Sequence, residues 1–246
     1  MGPPWGLAKT VRARNNASGP KREQRFPARA AKGRTMRSCV LLFLDAPEPG
    51  LESALPGDIR RAMAEDMLSM LRWAGAEVVV SYAPEWPVEE YQAWLGTDRT
   101  YWAQSGKGPG TRMANALRRA LSVKKFDRAV LLFPDAPALT DETVRQALEA
   151  LSWNSCVLGP SRDGGYYLVG FDQEGLLPDL FSRAEPGGPD VLARARNVLD
   201  IYRRRVTLVD DLPRVAELAD LRRLAANPPR HLARSKALAL VRALGQ

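Results

Sequence analysis

The sequence predicts an α/β protein: a three-layer α/β/α sandwich around a mainly parallel central sheet. Three observations lead there. Short apolar runs such as residues 39–44 (CVLLFL) and 129–133 (AVLLF) show no polar alternation, as expected of strands buried on both faces. Segments with apolar residues three and four apart alternate with those runs. The chain is 246 residues long and 45% hydrophobic, enough to bury a sizeable core.

The elements follow in order. Residues 39–44 read as the first strand. Residues 58–73 carry Ala62, Met63, Met67, Met70 and Leu71 at helical spacing, with Gly75 as the stop. EVVVSY (77–82) is a strand, VEEYQAWL (88–95) a short helix and RTYWAQ (99–104) a strand. TRMANALRRALS (111–122) is a helix with Met113, Ala116, Leu117, Ala120 and Leu121 on one face. RAVLLF (128–133) is a strand, and residues 140–151 form a helix that Thr140 caps. SCVLG (155–159) and YYLVGF (166–171) are strands flanking an Asp163-Gly164-Gly165 turn. Residues 190–202 are helical, VTLV (206–209) is a strand, and helices fill 214–225 and 231–244. In sheets of this kind ligands gather at the carboxyl ends of the strands.

The net charge of +8 is concentrated at one end of the chain. Residues 1–35 hold nine of the 36 Lys and Arg and, in Glu23, one of the 28 acids, which leaves 27 of each sign. The body is formally neutral, so no nucleic-acid partner is expected for it. Residues 1–35 are aperiodic and rich in Arg, Pro, Gly and Ala. They read as a disordered basic tail or a mis-annotated start, with a single domain over 36–246 that ends in helices. No apolar run suits a membrane span or a signal-peptide core, so a cytoplasmic location is expected. Cys39 and Cys156 sit inside apolar runs and read as buried thiols. His231 is the only histidine, which argues against a histidine-based triad or a His-rich zinc site. The sequence carries no signal of oligomeric state.

Three stretches carry candidate chemistry. In LLFPDAPAL the strand ends on Asp135, held between Pro134 and Pro137. A carboxylate so placed is a good hard-oxygen ligand for Mg²⁺ or Mn²⁺. Asp45 stands at the equivalent place in LLFLDAPEP, where it could equally be a plain strand exit. In QSGKGPGTRM, Gly106, Gly108 and Gly110 open a loop that runs into a helix, with Arg112 in its first turn, an arrangement suited to an anion. In GPSRDGGYYLVGF, Asp163 is either a hairpin turn residue or a carboxylate beside backbone that a ligand can approach. Tyr166 and Tyr167 could then offer a stacking face or hydroxyl.

Together these stretches resemble the GT-A-like nucleotide-diphospho-sugar transferase superfamily. Within it they look like a bacterial family of small uncharacterised glycosyltransferases. The resemblance spans roughly residues 38–225 and rests on three patterns. Asp-x-Pro-x-Leu is met by Asp135, Pro137 and Leu139. Gln-x-Gly followed by Gly-x-Arg-Met is met by Gln104, Gly106, Gly110, Arg112 and Met113. Gly-Pro-x-x-Asp-Gly-Gly-Tyr-Tyr-Leu-x-Gly is met in full from Gly159 to Gly170. The resemblance implies a nucleotide-sugar site at the strand ends and an Mg²⁺ or Mn²⁺ ion on Asp135 and Asp163, which are also the catalytic acids. It implies substrate contacts from Pro47, Gly50, Gln104, Gly106, Gly110, Arg112, Pro137, Gly164, Gly165 and Tyr166. The acceptor is not implied.

The departures are as informative. Pro47 and Gly50 are kept, but Asp45 replaces the lysine expected after the first strand. Leu51 to Leu55 stand where a Lys-Thr-Arg cluster is expected. The late Asp-Val-Asp falls on Arg214, Val215 and Ala216, and EPGGPD replaces the Trp-Ser/Thr segment after Phe181. Without the basic loop, nucleotide-diphosphate binding should be weak and lean on a divalent ion. Three functions fit: a metal-dependent glycosyltransferase, a nucleotidyltransferase on the same fold, or a non-catalytic member that keeps the cleft. For the tail, a chain beginning at Met36 should melt at the same temperature as the full chain. A loss of several degrees in calorimetry would show that the tail packs on the domain.

Overall fold

The structure, a computed structural model, describes residues 35–44, 55–181 and 189–244, all within the unit Ala31–Gln246. Residues 1–34, the loop containing Asp45, Pro47, Glu48, Gly50, Glu52, Ser53 and Ala54, and most of the EPGGPD segment lie outside this description.

The described strands form one seven-stranded sheet. They are β1 (Ser38–Leu44), β2 (Glu77–Tyr82), β3 (Thr100–Ala103), β4 (Arg128–Leu132), β5 (Cys156–Pro160), β6 (Tyr166–Asp172) and β7 (Val206–Leu208), in the order β3-β2-β1-β4-β6-β5-β7. β1 runs parallel to β2 and β4, β2 to β3, and β5 to β7. Only β6 is reversed, antiparallel to both β4 and β5, because the Asp163–Gly165 turn returns the chain as a hairpin.

All seven residues of β1 are buried. Cys39, Leu41 and Phe43 face one core with α3 (Pro109–Arg118) and α5 (Val191–Ile201). Val40, Leu42 and Leu44 face the other, with α1 (Gly57–Leu71), α2 (Val88–Leu95) and α4 (Asp141–Ala150). Each fully buried Leu, Val or Phe contributes about 1.5–3 kcal/mol. A third cluster joins Ile59 and Met63 of α1 to Leu221 of α6 (Leu218–Ala226) and Leu238 and Val241 of α7 (Lys236–Ala243).

Polar contacts lock the helices in place. Thr140 caps α4 as expected, its Oγ1 accepting from the Thr143 N–H at 3.2 Å. Arg128, at the start of β4, donates to Ser38 Oγ at 2.7 Å and to the Leu148 carbonyl near the end of α4 at 2.6 Å. Asp66 of α1 accepts from Ser235 Oγ and from the amides of Lys236 and Ala237. One helix thus supplies the N-terminal cap of another. Both cysteines are buried and unpaired, and burial pushes both thiols up. His231 is exposed. Among the described residues no helix is long and apolar enough to cross a membrane.

Three helix boundaries differ from the periodicity. α3 begins earlier, with Pro109 in its first turn, where the missing N–H costs nothing, and continues into a π-helical turn over Arg119–Val123. α7 starts at Lys236, not 231, because Pro228 and Pro229 lead into a single 3₁₀ turn and Ser235 supplies the cap. α6 starts at Leu218, not 214. Residues 209–215 are not helical; they hydrogen-bond to neighbouring backbone. Leu212 N donates to Pro160 O at 3.1 Å, and Val215 N to the Asp135 carbonyl at 2.7 Å. Glu217 and Asp220 then form a capping box.

Gln104 fixes the sheet edge that carries the site. It is buried, and its Nε2 donates to the carbonyls of Leu44 and Ser81, each at 2.9 Å. These carbonyls lie at the carboxyl ends of β1 and β2. Gln104→Met keeps the volume but removes both hydrogen bonds. It should cost roughly 1–3 kcal/mol in denaturant unfolding.

Candidate functional site

From β1 the sheet grows in both directions, to β2 on one side and β4 on the other. The chain passes from β1 through α1 to β2 on one side and from β4 through α4 to β5 on the other, and a reversal of this kind is where a crevice forms at the carboxyl ends of the strands. Asp135 lies just past the end of β4, on backbone restricted by Pro134 and Pro137. Two tertiary hydrogen bonds hold that exit: Phe133 N donates to Tyr167 O at 3.2 Å, and the Asp135 carbonyl accepts from Val215 N.

The same strap that bonds the Asp135 backbone delivers Arg214 to its side chain. Arg214 donates from Nε to Asp135 Oδ2 at 2.8 Å and from Nη2 to the same oxygen. Its Nη1 lies 3.4 Å from Oδ2 of Asp163. The guanidinium carbon sits 5.9 Å from the centre of the Phe133 ring. Asp163 is anchored by its other oxygen, which accepts from Ser161 Oγ and, at 3.0 Å, from Gly165 N. The Arg214 side chain is 15% exposed, that of Asp135 23% and that of Asp163 44%.

The electrostatics follow from burial. Asp135 Oδ1 is shielded from solvent and has no hydrogen-bond partner among the described residues. Burial therefore pushes its carboxyl up, although the charge and hydrogen bonds of Arg214 pull the other way. Burial also works against the charge on Arg214, but Asp135 and then Asp163 outweigh it, and the guanidinium stays cationic.

The structure brings Asp135 and Asp163 together, with a guanidinium between them. Among the described residues no three His, Cys, Asp or Glu side chains cluster so as to hold a metal. Arg214 takes Asp135 Oδ2 and faces Asp163 Oδ2, Ser161 and Gly165 take the other Asp163 oxygen, and Asp135 Oδ1 alone is unpartnered but shielded from solvent, so the pair does not supply the several open oxygens that Mg²⁺ or Mn²⁺ requires. The donor set, as placed, does not fit the ion that the sequence resemblance implied.

The other expected site residues are dispersed. Arg112 forms an ion pair with Glu85, which holds the Glu85 carboxyl below its usual range, and its Nε reaches the Gly106 carbonyl at 3.3 Å. Gly106, with φ 119°, could not take a side chain, since a Cβ would lie 2.6 Å from Thr111 Cγ2. Gly110 is buried in the first turn of α3, and Pro137 is half-buried. Tyr166, expected to offer a stacking face or hydroxyl, has no exposed surface and belongs to the core against α3 and α5. Tyr167 is equally buried, and its hydroxyl donates to the Asp210 carbonyl at 2.8 Å. Pro47 and Gly50 lie outside the described residues.

A cleft of about 520 Å³ opens beside Asp135. Of the expected site residues that are described, Asp135 alone lines it. Its walls come from Arg60 and Arg61 of α1 and from Trp86, Tyr91 and Trp94. Arg61 lies over the Trp94 ring at 5.6 Å, and Trp94 Nε1 donates to Glu65 at 2.9 Å. Sequence reasoning missed this wall. Its one available signal was Trp86, Tyr91 and Trp94 falling within nine residues.

Fold and crevice place the chain among proteins built like nucleotide-diphospho-sugar transferases. A solved structure of a provisionally assigned nucleotide-diphospho-sugar transferase from Desulfovibrio desulfuricans G20 matches with a TM-score of 0.77. It shares 31% identity over 86% of this chain and 96% of that one. The chain belongs to the family described as "Uncharacterized protein conserved in bacteria (DUF2064)", whose pattern matches residues 67–187. Two further structures share the fold alone. Rv0371c from Mycobacterium tuberculosis H37Rv, solved with manganese, has a TM-score of 0.50 and 17% identity, covering 78% of this chain and 98% of that one. A nucleotidyl transferase from Methanothermobacter has a TM-score of 0.52 and 16% identity, covering 78% and 96%. No curated protein matches.

The turn behind Asp163 gives a stability prediction. Gly164 has φ 86°, and a Cβ there would lie 2.3 Å from the Pro189 carbonyl oxygen. Its own carbonyl accepts from Leu192 N at 2.9 Å, where α5 begins. Gly164→Ala should lose about 2–3 kcal/mol, measured by thermal or urea unfolding, because both the dihedral and the contact must yield.

Proposed function

We propose that this chain transfers a group from a nucleotide-linked donor, and that the reaction is glycosyl transfer from a nucleoside-diphosphate sugar to a small acceptor. The observation that carries the reading is the cleft beside Asp135. Its aromatic wall suits a flat base or a sugar face, and Arg60 and Arg61 suit phosphates. The family relationship to a provisionally assigned nucleotide-diphospho-sugar transferase supports the donor class.

In this reading the acceptor hydroxyl oxygen bonds to the anomeric carbon as that carbon's bond to the diphosphate oxygen breaks. The diphosphate leaves with the electron pair. Asp135, whose carboxyl burial pushes up, accepts the hydroxyl proton, and Asp163, the more exposed of the two, orients the acceptor. Arg60 and Arg61 hold the departing diphosphate. Nucleotidyl transfer is the second reading, supported by the nucleotidyl transferase that shares the fold. There a substrate phosphate oxygen attacks the α-phosphorus of a nucleoside triphosphate and pyrophosphate leaves.

The two readings release different products. Incubation with panels of nucleotide sugars and of triphosphates with sugar phosphates, with Mn²⁺ and with EDTA, should release a nucleoside diphosphate. Pyrophosphate would favour the second reading. Asp135→Asn should lower turnover by about 100-fold or more while the protein stays folded. Absence of any thermal shift or product across both panels would leave a non-catalytic member of the family.

A further inference from the structure

Arg214 occupies the space that Asp135 and Asp163 share, and it is held there from two sides. Its Nε and Nη2 grip Asp135 Oδ2 while its Nη1 faces Asp163 Oδ2. Val215, the next residue, bonds the Asp135 carbonyl at 2.7 Å, which anchors the backbone that carries the guanidinium beside both carboxylates. We propose that Arg214 is a built-in cation that replaces a divalent metal between the two carboxylates, and that phosphate-bearing ligands bind this chain without a metal, on Arg60 and Arg61. The substrate half of this inference rests on the proposed function; the metal half stands on the geometry alone.

Charge counting separates the two arrangements. Two carboxylates with a dication sum to zero, and the ion keeps coordination positions for phosphate oxygens and water. Two carboxylates with one guanidinium sum to minus one and offer no such positions. A diphosphate therefore gains nothing by approaching Asp135 and needs its positive charge from elsewhere. Within the same cleft that charge is on α1. Arg60 and Arg61 both line it together with Asp58, a net of plus one from these side chains of that helix, and Arg60 Nε is shielded from solvent without a hydrogen-bond partner among the described residues. The residual negative charge at Asp135 and Asp163 suits the hydroxyl donors of a sugar or acceptor.

Mn²⁺ alone is the primary probe, followed by electron paramagnetic resonance and calorimetry on the full chain. The parent should show no saturable site at Asp135 and Asp163, and Arg214→Asp, which adds a third carboxylate, should bind Mn²⁺ at least tenfold more tightly than the parent. Arg214→Lys keeps a point charge and should bind no better than the parent. Two results overturn the proposal: saturable Mn²⁺ binding by the parent that Asp135→Asn abolishes, or a folded Arg214→Asp that binds no better than the parent. If Arg214→Asp does not fold, Arg214→Ala and the parent titration decide in the same way. UDP, as a nucleoside diphosphate, reads the second half. Its affinity should be equal in EDTA and in Mn²⁺ and fall at least tenfold in Arg61→Ala. Affinity that depends on Mn²⁺ overturns this half. Failure of every nucleotide to bind overturns it together with the proposed function, while the Mn²⁺ result on Arg214 stands by itself.

Discussion

β1 has no exposed residue, and the rest of the architecture is a response to that. A parallel strand buried on both faces needs helices above and below it. Those helices occupy the connections, so the polar ends of the strands are what remains for chemistry. With β2 growing from one side of β1 and β4 from the other, the carboxyl ends of the central strands cannot be bridged by one loop. The crevice is a consequence of topology before any functional residue is placed in it. Gln104 then fixes its rim by tying together the last carbonyls of β1 and the region of Ser81.

What fills that crevice is a balance of burial and charge. A carboxylate withdrawn from water at the end of β4 would be costly alone. Arg214 offsets the cost with a charge-assisted pair, and the planar guanidinium reaches a second carboxylate at the same time. Removing one partner of such a group is more disruptive than never having built it. The three residues are therefore one unit, and substitutions among them should not be additive.

The sheet was legible because strands buried on both faces appear in sequence as uninterrupted apolar runs. The Thr140 cap and the Asp163-Gly164-Gly165 hairpin were legible because their chemistry is local. Asp135 and Asp163 were found as a pair through the quoted patterns, and the structure does place them together. Arg214 was noticed as a departure from an expected acid but placed at the start of a helix. Its true setting depends on backbone bonds to Pro160 and Asp135, far away in sequence, which no local signal reports. The ion pair of Arg112 was illegible for the same reason: its partner Glu85 lies 27 residues earlier. The aromatic wall of the cleft was passed over because Tyr91 and Trp94 also satisfy the periodicity of a short amphipathic helix.

The cap that Asp66 gives to α7 bears on how the protein is made. The pairs Asp66–Ser235 and Glu65–Lys236 span 169 and 171 residues, and Glu65 also holds Trp94 at the cleft wall. A nascent chain that has produced α1, α2 and the whole sheet still lacks the helix that covers Ile59 and Met63. That apolar face of α1 stays open until residues beyond 235 leave the ribosome. Contacts of such sequence separation form late and slowly. The chain that lines one side of the cleft is thus the last to be secured, and a ribosome that stalls just short of α7 would hold a nearly complete sheet with an adhesive flank.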